Sequence, residues 1–315
     1  MHSRPQRVVH QRTAQRFGRA TLSLLSLVVT LGGVHQALPA AVGTRTSLTN
    51  PFFAMNFEHL DPKIASSREA QAKLLKKLGY DGAIYLGPLG GVKEAFRALD
   101  AEGLEMFAAA VQPYDIPVDP GEICPANLKE AIPQLKGRKT LLLIQFQSKA
   151  YPGSSPAGDA RAVELGRELA DFARGYGVRV VIYPHQKIWC ERVDHAVRIA
   201  KQCGRENLGV CFNLSHWLWT DPHGTLESRV REAMPYLFMV TINGSSPEGT
   251  LETLDRGSYD VGGFLRPFIT AGYRGPIGLQ CVSIKGDARD NLTRSMAAWR
   301  RISARLAAAA NTKPQ

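Results

Sequence analysis

Hydrophobic and polar positions follow a repeating cycle along most of this chain. A short apolar run rich in β-branched or aromatic residues is followed by a turn, and then by a stretch whose apolar residues recur at helical spacing. Eight such cycles predict eight strands at Phe52–Phe57, Gly82–Gly87, Leu104–Val111, Thr140–Gln147, Val178–His185, Leu208–Leu214, Leu237–Asn243 and Ile277–Ile284. The helices that follow them are predicted at Ser66–Leu78, Val92–Ala101, Ala126–Leu135, Asp159–Tyr176, Arg192–Gln202, Thr225–Ala233, Val261–Ala271 and Asp290–Ala308.

Strands that alternate with helices predict parallel pairing through right-handed crossovers. Eight such units in about 260 residues match a closed (β/α)8 TIM barrel, an α/β fold formed by one domain. A doubly wound open sheet is the alternative. It is disfavoured because neither GxGxxG nor GxxxxGK[ST] follows any predicted strand.

The N-terminal segment has a different pattern. Five arginines and no acidic residue occupy the first 19 positions, and the apolar run Thr21–Val34 is too short to span a bilayer comfortably. Small residues follow at Ala37, Ala40 and Ala41, and this order is typical of a secretory signal peptide, with a core helix as the alternative.

These features divide the chain into four predicted parts. We expect a signal peptide over residues 1–43, a linker over 44–50, the barrel over 51–308 and a flexible tail over 309–315. Cleavage of the signal peptide would leave a periplasmic or extracellular protein with no stable membrane anchor.

Composition and charge narrow the classes of function. The chain of 315 residues is 44% hydrophobic and 21% charged, which is enough apolar material for a sizeable core. Its net charge of +11 could suggest a nucleic-acid partner, but five of the positive charges lie in the signal segment and the rest are spread without a block. The five cysteines form no CxxC pair and are interpreted as buried apolar residues.

Polar residues end most of the predicted strands, where the active site of a TIM barrel lies. These candidates are Glu58, Gln145, Tyr183, His185, Asn213, His216, Asn243 and Gln280. Burying so many polar side chains without partners would cost about 1–3 kcal/mol each, so we expect them to meet a ligand.

The residue types suggest a role for each candidate. His185 and His216 are the expected acid and base, because an imidazole titrates near neutrality without large tuning, and Glu58 is the nearest carboxylate. Lys285 could stabilise charge. The expected sugar-binding residues, which would hydrogen-bond to or stack on a sugar, are Gln145, Tyr183, Asn213, Trp217, Asn243 and Gln280.

Four segments carry a resemblance to a known family. In chain order they are VVIYPHQKIWCE, LGVCFNLSHWL, LFMVTINGS and GPIGLQCVSIKGDARDNL, and the likeness spans about residues 51–305. The chain resembles the xylose isomerase-like TIM barrel superfamily, the group of sugar phosphate isomerases/epimerases. In particular it looks like an exported branch whose fifth strand ends in YPH or YNH.

The resemblance implies a divalent metal, but the residues depart from the family pattern. Isomerase members hold the metal with Glu, Asp, His and Glu on the fifth to eighth strands, and the matching positions here are Tyr183, Asn213, Thr241 or Asn243, and Gln280. Amides lack the charge that offsets dehydration of a hard cation. Any bound metal would fall to His185 and His216, the two histidines that match the pattern, with no third ligand identified.

The resemblance and the residues together imply an exported enzyme that acts on a saccharide or sugar-derived carbonyl compound by isomerisation or epimerisation. A saccharide-binding barrel without turnover and a lyase acting on oxidised glycosides are the alternatives. Export favours an unphosphorylated small-molecule saccharide as the partner. Nucleic-acid processing is disfavoured because the chain lacks a dense set of metal ligands, and a glycosidase is disfavoured because Glu58 has no clear carboxylate partner. The oligomeric state stays open.

Overall fold

The strands of this protein run parallel and surround one interior. The structure is a computed structural model that describes residues 46–57, 64, 67–221 and 225–311. Its strands are β1 (Phe52–Met55), β2 (Gly82–Pro88), β3 (Glu105–Gln112), β4 (Asp115–Pro117), β5 (Leu141–Gln147), β6 (Val180–Ile182), β7 (Leu208–Asn213), β8 (Leu237–Ile242) and β9 (Ile277–Gln280). Its α-helices are α1 (Arg68–Leu78), α2 (Val92–Ala101), α3 (Ala126–Ala131), α4 (Asp159–Arg174), α5 (Val193–Cys203), α6 (Leu214–Thr220), α7 (Leu226–Ala233), α8 (Val261–Thr270) and α9 (Ala288–Asn311). Short 3-10 helices lie at Leu89–Gly91, Ile132–Leu135, Pro156–Gly158 and Met234–Tyr236.

Hydrogen bonds link each strand to the next around the whole circle. The order is β3, β2, β1, β9, β8, β7, β6, β5, and β3 then pairs with β5 through Ala108 opposite Leu141. This pairing closes the sheet, so the predicted TIM barrel is confirmed and the open sheet is excluded. The eight strands of the circle correspond to the eight predicted ones.

The structure departs from the predicted elements at several strand ends, and β9, for example, ends at Gln280 and not at Ile284. The three-residue strand β4 was not predicted, and it pairs with the C-terminal end of β5. Strand β6 ends at Ile182 instead of His185, because Pro184 has no N–H for the ladder and the chain turns, with His185 N–H donating to the Cys190 carbonyl at 3.2 Å. Helix α6, also unpredicted, begins directly after β7.

Alternate strand residues supply two apolar layers. In β5, Leu141 and Leu143 point into the barrel, while Leu142 and Ile144 point toward the helices. Inside the barrel, Gly278 leaves room for a neighbouring ring, since a Cβ there would lie 2.4 Å from Phe53. Because of this alternation, every second residue at the C-terminal end of a strand points into the mouth of the barrel.

A buried ionic network fixes the loop between β6 and α5, which carries His185. Asp159, at the start of α4, accepts hydrogen bonds from His195 Nε2 at 3.1 Å and from Arg198 Nε at 2.6 Å. Burial and the Arg198 guanidinium lower the pKa of His195 to about 4, so its ring is neutral. Trp189 packs edge-on against His195 at 4.4 Å and donates from its indole to the Ser155 carbonyl. The loop is thus held from behind by α4 and α5.

The remaining composition-based expectations concern the cysteines and the membrane. All five cysteines are free and buried, as interpreted from the sequence. No helix in the described ranges combines the length and the apolar character that a membrane crossing requires. The predicted signal peptide lies outside the described residues.

Replacing Asp159 with alanine should unfold the protein more easily. The change leaves a buried imidazole and a half-buried guanidinium without their shared acceptor, and we expect a loss of about 3 kcal/mol in the free energy of unfolding. Asp171→Ala is the matched control on the same helix. It removes a pair with Arg205 whose carboxylate is 37% exposed, against 10% for Asp159, and should lower the free energy of unfolding clearly less. Equal losses in urea denaturation would contradict this account of the loop.

Candidate functional site at the mouth of the barrel

A cavity of about 230 Å³ opens at the C-terminal ends of the strands. Its volume suits a single sugar ring better than an oligosaccharide, since sites for drug-sized ligands start at about 300 Å³. The lining is mixed: apolar side chains form the floor, and polar groups converge from several strands. The lining residues are Met55, Asn56, Ile84, Leu86, Ala110, Tyr114, Leu143, Gln145, Tyr183, His185, Gln280 and Val282.

The side chain of Asn213 organises the centre of this mouth. Its Oδ1 accepts a hydrogen bond from the His216 backbone N–H at 2.9 Å and so caps helix α6. This cap fixes the orientation of the amide, so the NH2 group points into the barrel. There Nδ2 lies 2.6 Å from Thr241 Oγ1, 2.6 Å from Gln280 Oε1 and 2.8 Å from Tyr183 Oη.

The groups around Asn213 are neutral hydrogen-bonding groups. Burial raises the pKa of Tyr183 well above its usual value, so the phenol keeps its proton. Because Gln280 Oε1 accepts from Asn213, the group that Gln280 has left to offer the cavity is its NH2. The centre of the mouth therefore presents donors toward a ligand.

The backbone of one residue, Gln186, sets the protonation of both site histidines. The Gln186 carbonyl lies 2.7 Å from His185 Nδ1, and a carbonyl can only accept, so Nδ1 carries the proton and Nε2 is the basic nitrogen of His185. The Gln186 N–H donates to His216 Nδ1 at 3.4 Å, which places the proton of His216 on Nε2. His216 Nε2 is buried and has no partner among the described residues.

Both imidazoles are neutral at neutral pH. Burial lowers the pKa of His185, and it lowers that of His216 to about 2, with the neighbouring His185 acting in the same direction. The ring centroids are 4.0 Å apart, and His216 lies edge-on to Tyr183 at 5.6 Å. His185 lines the cavity, whereas the buried His216 packs against His185 and is not among the described lining residues.

The structure brings five of the predicted site residues to this mouth. Four line the cavity directly and Asn213 joins them from the centre: Gln145, Tyr183, His185, Gln280 and Asn213. Glu58 lies outside the described residues. Lys285 is not at the cavity and lines a separate surface cleft with Arg256 and Arg294.

Two further predicted residues serve the fold instead of the cavity. Trp217 is 2% exposed and packs against Phe212 and Phe264 in the layer between strands and helices, because α6 turns it away from the mouth. Asn243 is fully buried: its Oδ1 accepts from Ser215 and its NH2 donates to the Gly244 carbonyl. Neither side chain has a group free to face a sugar at this cavity.

Sequence reasoning missed three polar residues of the mouth. Asn56 adopts a left-handed backbone (φ 56°), which asparagine tolerates, and its buried Oδ1 has no partner in the part of the chain that the structure describes. Tyr114 lines the cavity, and the neighbouring Asp115 lies in β4. The segment QPYDIP could have indicated them, since it follows a predicted strand directly.

The residues at this mouth do not fit a divalent metal. Within the described ranges no group of three or more His, Cys, Asp or Glu side chains lies close enough together to hold an ion. The family's carboxylate positions carry a protonated phenol and two amides, and Asn213 presents an NH2 group where a cation would need an oxygen. In the tautomers that Gln186 imposes, His185 Nε2 is the one ring nitrogen of the two histidines with a lone pair free to bind a cation.

Comparison with known proteins agrees with the fold. The profile of the family described as xylose isomerase-like TIM barrel matches residues 72–302. The chain belongs to this family. No curated protein gives a significant match to the chain.

Solved structures of the same family show the same barrel at low sequence identity. The apo form of 3-keto-D-glucoside 4-epimerase from E. coli is 14% identical, with a TM-score of 0.65 over 80% of this chain and 99% of its own. D-psicose 3-epimerase from Clostridium cellulolyticum H10, solved with D-tagatose, is 15% identical, with a TM-score of 0.57 over 83% and 96%. A family member from Mycobacterium smegmatis in complex with magnesium is 21% identical, with a TM-score of 0.59 over 83% and 98%.

Replacing two amides with carboxylates should create a cation site. The variant Asn213→Asp/Gln280→Glu restores two anionic ligands at adjacent positions, and we expect it to bind one Mn²⁺ saturably in calorimetry. The unmodified protein should show no saturable Mn²⁺ binding, and a chelator should leave its melting temperature unchanged. One equivalent of metal retained by the purified protein would contradict the assignment of these amides.

Proposed function

We propose that this protein is an enzyme that isomerises or epimerises a sugar, moving a proton at a carbon next to a carbonyl group. The observation that carries the proposal is the position of His185. Its Nδ1 is committed to the Gln186 carbonyl, its Nε2 is left basic, and the ring lines a cavity of sugar size. A neutral imidazole with one free nitrogen is the form of histidine that can accept a proton.

The proton transfer runs between His185 and the substrate. Nε2 takes the proton from the carbon, the electrons of the C–H bond form an enediolate, and the imidazolium returns the proton to a carbon of that intermediate. Return to the neighbouring carbon would give an isomer, whereas an epimer forms when the intermediate turns its other face to His185 before the proton returns to the same carbon. Burial lowers the pKa of His185. The Gln186 carbonyl and the Asp115 carboxylate oppose this effect by stabilising the imidazolium.

Neutral donors are available to stabilise the enediolate oxygen. The NH2 group of Gln280 faces the cavity from β9, and the Gln145 amide lines it from β5. Fixed donors in a site shielded from water lower the energy of a developing oxyanion, by about 3 kcal/mol for one such donor. The proposed chemistry therefore uses the chain's own hydrogen-bonding groups.

The comparisons support the class of reaction. Two similar structures are named as a 3-keto-D-glucoside 4-epimerase and a D-psicose 3-epimerase, and both names describe epimerisation of a sugar. We propose the same class for this chain and leave open which carbon of the sugar is changed.

Replacing His185 with alanine should abolish proton exchange without abolishing sugar binding. In D2O, NMR should show the protein catalysing deuterium incorporation next to the carbonyl of one sugar in a panel of ketohexoses and 3-keto-glucosides. His185→Ala should lower this rate by about 10²–10⁴-fold, the usual contribution of a general base, with little change in KM.

Lys187→Asn provides the matched control. Lys187 is an exposed neighbour in the same loop with φ 65°, a backbone conformation that asparagine tolerates, so exchange should be retained. Saturable sugar binding with no exchange in the unmodified protein would instead support a binding barrel. An unsaturated product would support a lyase.

We also propose that the protein is exported through its N-terminal segment. The support is the order of five arginines, an apolar run and small residues within the first 43 positions. Expressed in a bacterium with its full sequence, the protein should appear outside the cytoplasm with a new N-terminus between about residues 37 and 43. A version lacking residues 1–43 should stay in the cytoplasm, and an uncleaved cytoplasmic full-length chain would refute export.

A further inference from the structure

Strands β4 and β5 form one wall of the cavity mouth. Asp115 lies directly opposite Gln145 in the parallel register, and Gln145 lines the cavity. The next residue, Ile116, is fully buried in the layer that faces the helices. Because successive side chains of a strand point to opposite faces, Asp115 points to the same side as Gln145, toward the mouth.

Both side chains hold hydrogen-bonding groups that no described residue uses. Gln145 is 7% exposed, and its amide has no hydrogen-bond partner in the described ranges. The buried Oδ1 of Asp115 likewise has no partner among the residues described. A buried polar atom left without a partner costs about 1–3 kcal/mol, so the Asp115 oxygen, beside an amide that lines the cavity, indicates a place for ligand atoms.

The Asp115 carboxylate is the charged group whose influence reaches two described residues of this cavity, Tyr114 and His185. None of the described lining residues is a lysine or an arginine. Burial raises the pKa of Tyr114, and the Asp115 carboxylate raises it further. Burial lowers the pKa of His185, while the Asp115 carboxylate raises it and the exposed Lys187 lowers it. A phosphate or carboxylate placed here would meet the like charge of Asp115 without a lysine or arginine among the described lining residues, which is a means of rejecting such ligands.

We infer that Asp115 and Gln145 form a subsite for neighbouring hydroxyl groups of a neutral sugar, and that this subsite excludes phosphorylated and acidic sugars. Asp115 Oδ1 accepts a hydrogen bond from one hydroxyl, and the Gln145 amide bonds to the next. Adjacent strands lie about 4.8 Å apart, so the two side chains can reach groups on one ring. The inference rests on the proposed sugar substrate and narrows it to the unphosphorylated class.

Equilibrium binding tests this subsite without requiring turnover. The probes are D-tagatose, D-psicose and D-tagatose 6-phosphate, titrated calorimetrically into the folded protein. At least one neutral ketohexose should bind, and the phosphorylated sugar should bind at least about tenfold more weakly, the cost of one unfavourable polar contact. Asp115→Asn should weaken binding of the neutral sugar about tenfold and narrow the difference between the neutral and phosphorylated probes.

The control is Glu122→Gln, which removes the same charge from an exposed position in the segment after β4 and should change neither affinity. If Asp115→Asn does not fold, Gln145→Leu, which keeps the carboxylate, should weaken the neutral sugar while preserving rejection of the phosphate. Equal affinity for tagatose and its phosphate, unchanged binding in the Asp115 variant, or no binding of either neutral sugar would overturn the inference. If the predicted Asp115 effect is seen but no deuterium exchange occurs, the subsite stands and the proposed reaction falls.

Discussion

The orientation of one side-chain amide determines the chemistry of this barrel. Asn213 ends β7 and begins α6, and its oxygen must cap that helix. The nitrogen is thereby forced into the interior, where it meets oxygens from three other strands. An aspartate could cap the helix equally well, but its second oxygen would place a buried negative charge among these neighbours, which a cation or a proton would have to offset. The neutral centre of the mouth follows from this requirement.

This arrangement changes what the mouth can do to a bound sugar. A divalent cation concentrates two positive charges at one point and polarises whichever substrate oxygens reach it. Amide and phenol groups are weaker donors spread over a wider area, and they hold a ligand through directional hydrogen bonds instead of a formal charge. A carboxylate base tuned by a metal is then not required, because the neutral imidazole of His185 already presents a basic Nε2. Neutral donors and a neutral base thus form one consistent site.

Local periodicity predicted the fold well, because alternation along strands and 3.6-residue spacing along helices are properties of short segments. The same periodicity brought Gln145, Tyr183 and Gln280 correctly to the mouth. It failed where the chain leaves regular structure. The sequence-based prediction continued the strand alternation past Asn213, whereas helix α6 begins directly after it and rotates Trp217 into the outer layer. Asp115 lies in a strand of three residues, too short for any alternation to be read from sequence.

The backbone contacts of Gln186 have a consequence for how this site can vary among related proteins. Gln186 fixes both histidines through its N–H and its carbonyl, so no property of the glutamine side chain enters the interaction. Many residue types could occupy the position without altering either tautomer, and only proline, which has no N–H, would break one of the two bonds. Selection at this position would therefore leave little trace in residue identity, and a site search based on conserved side chains would overlook the group that sets the base.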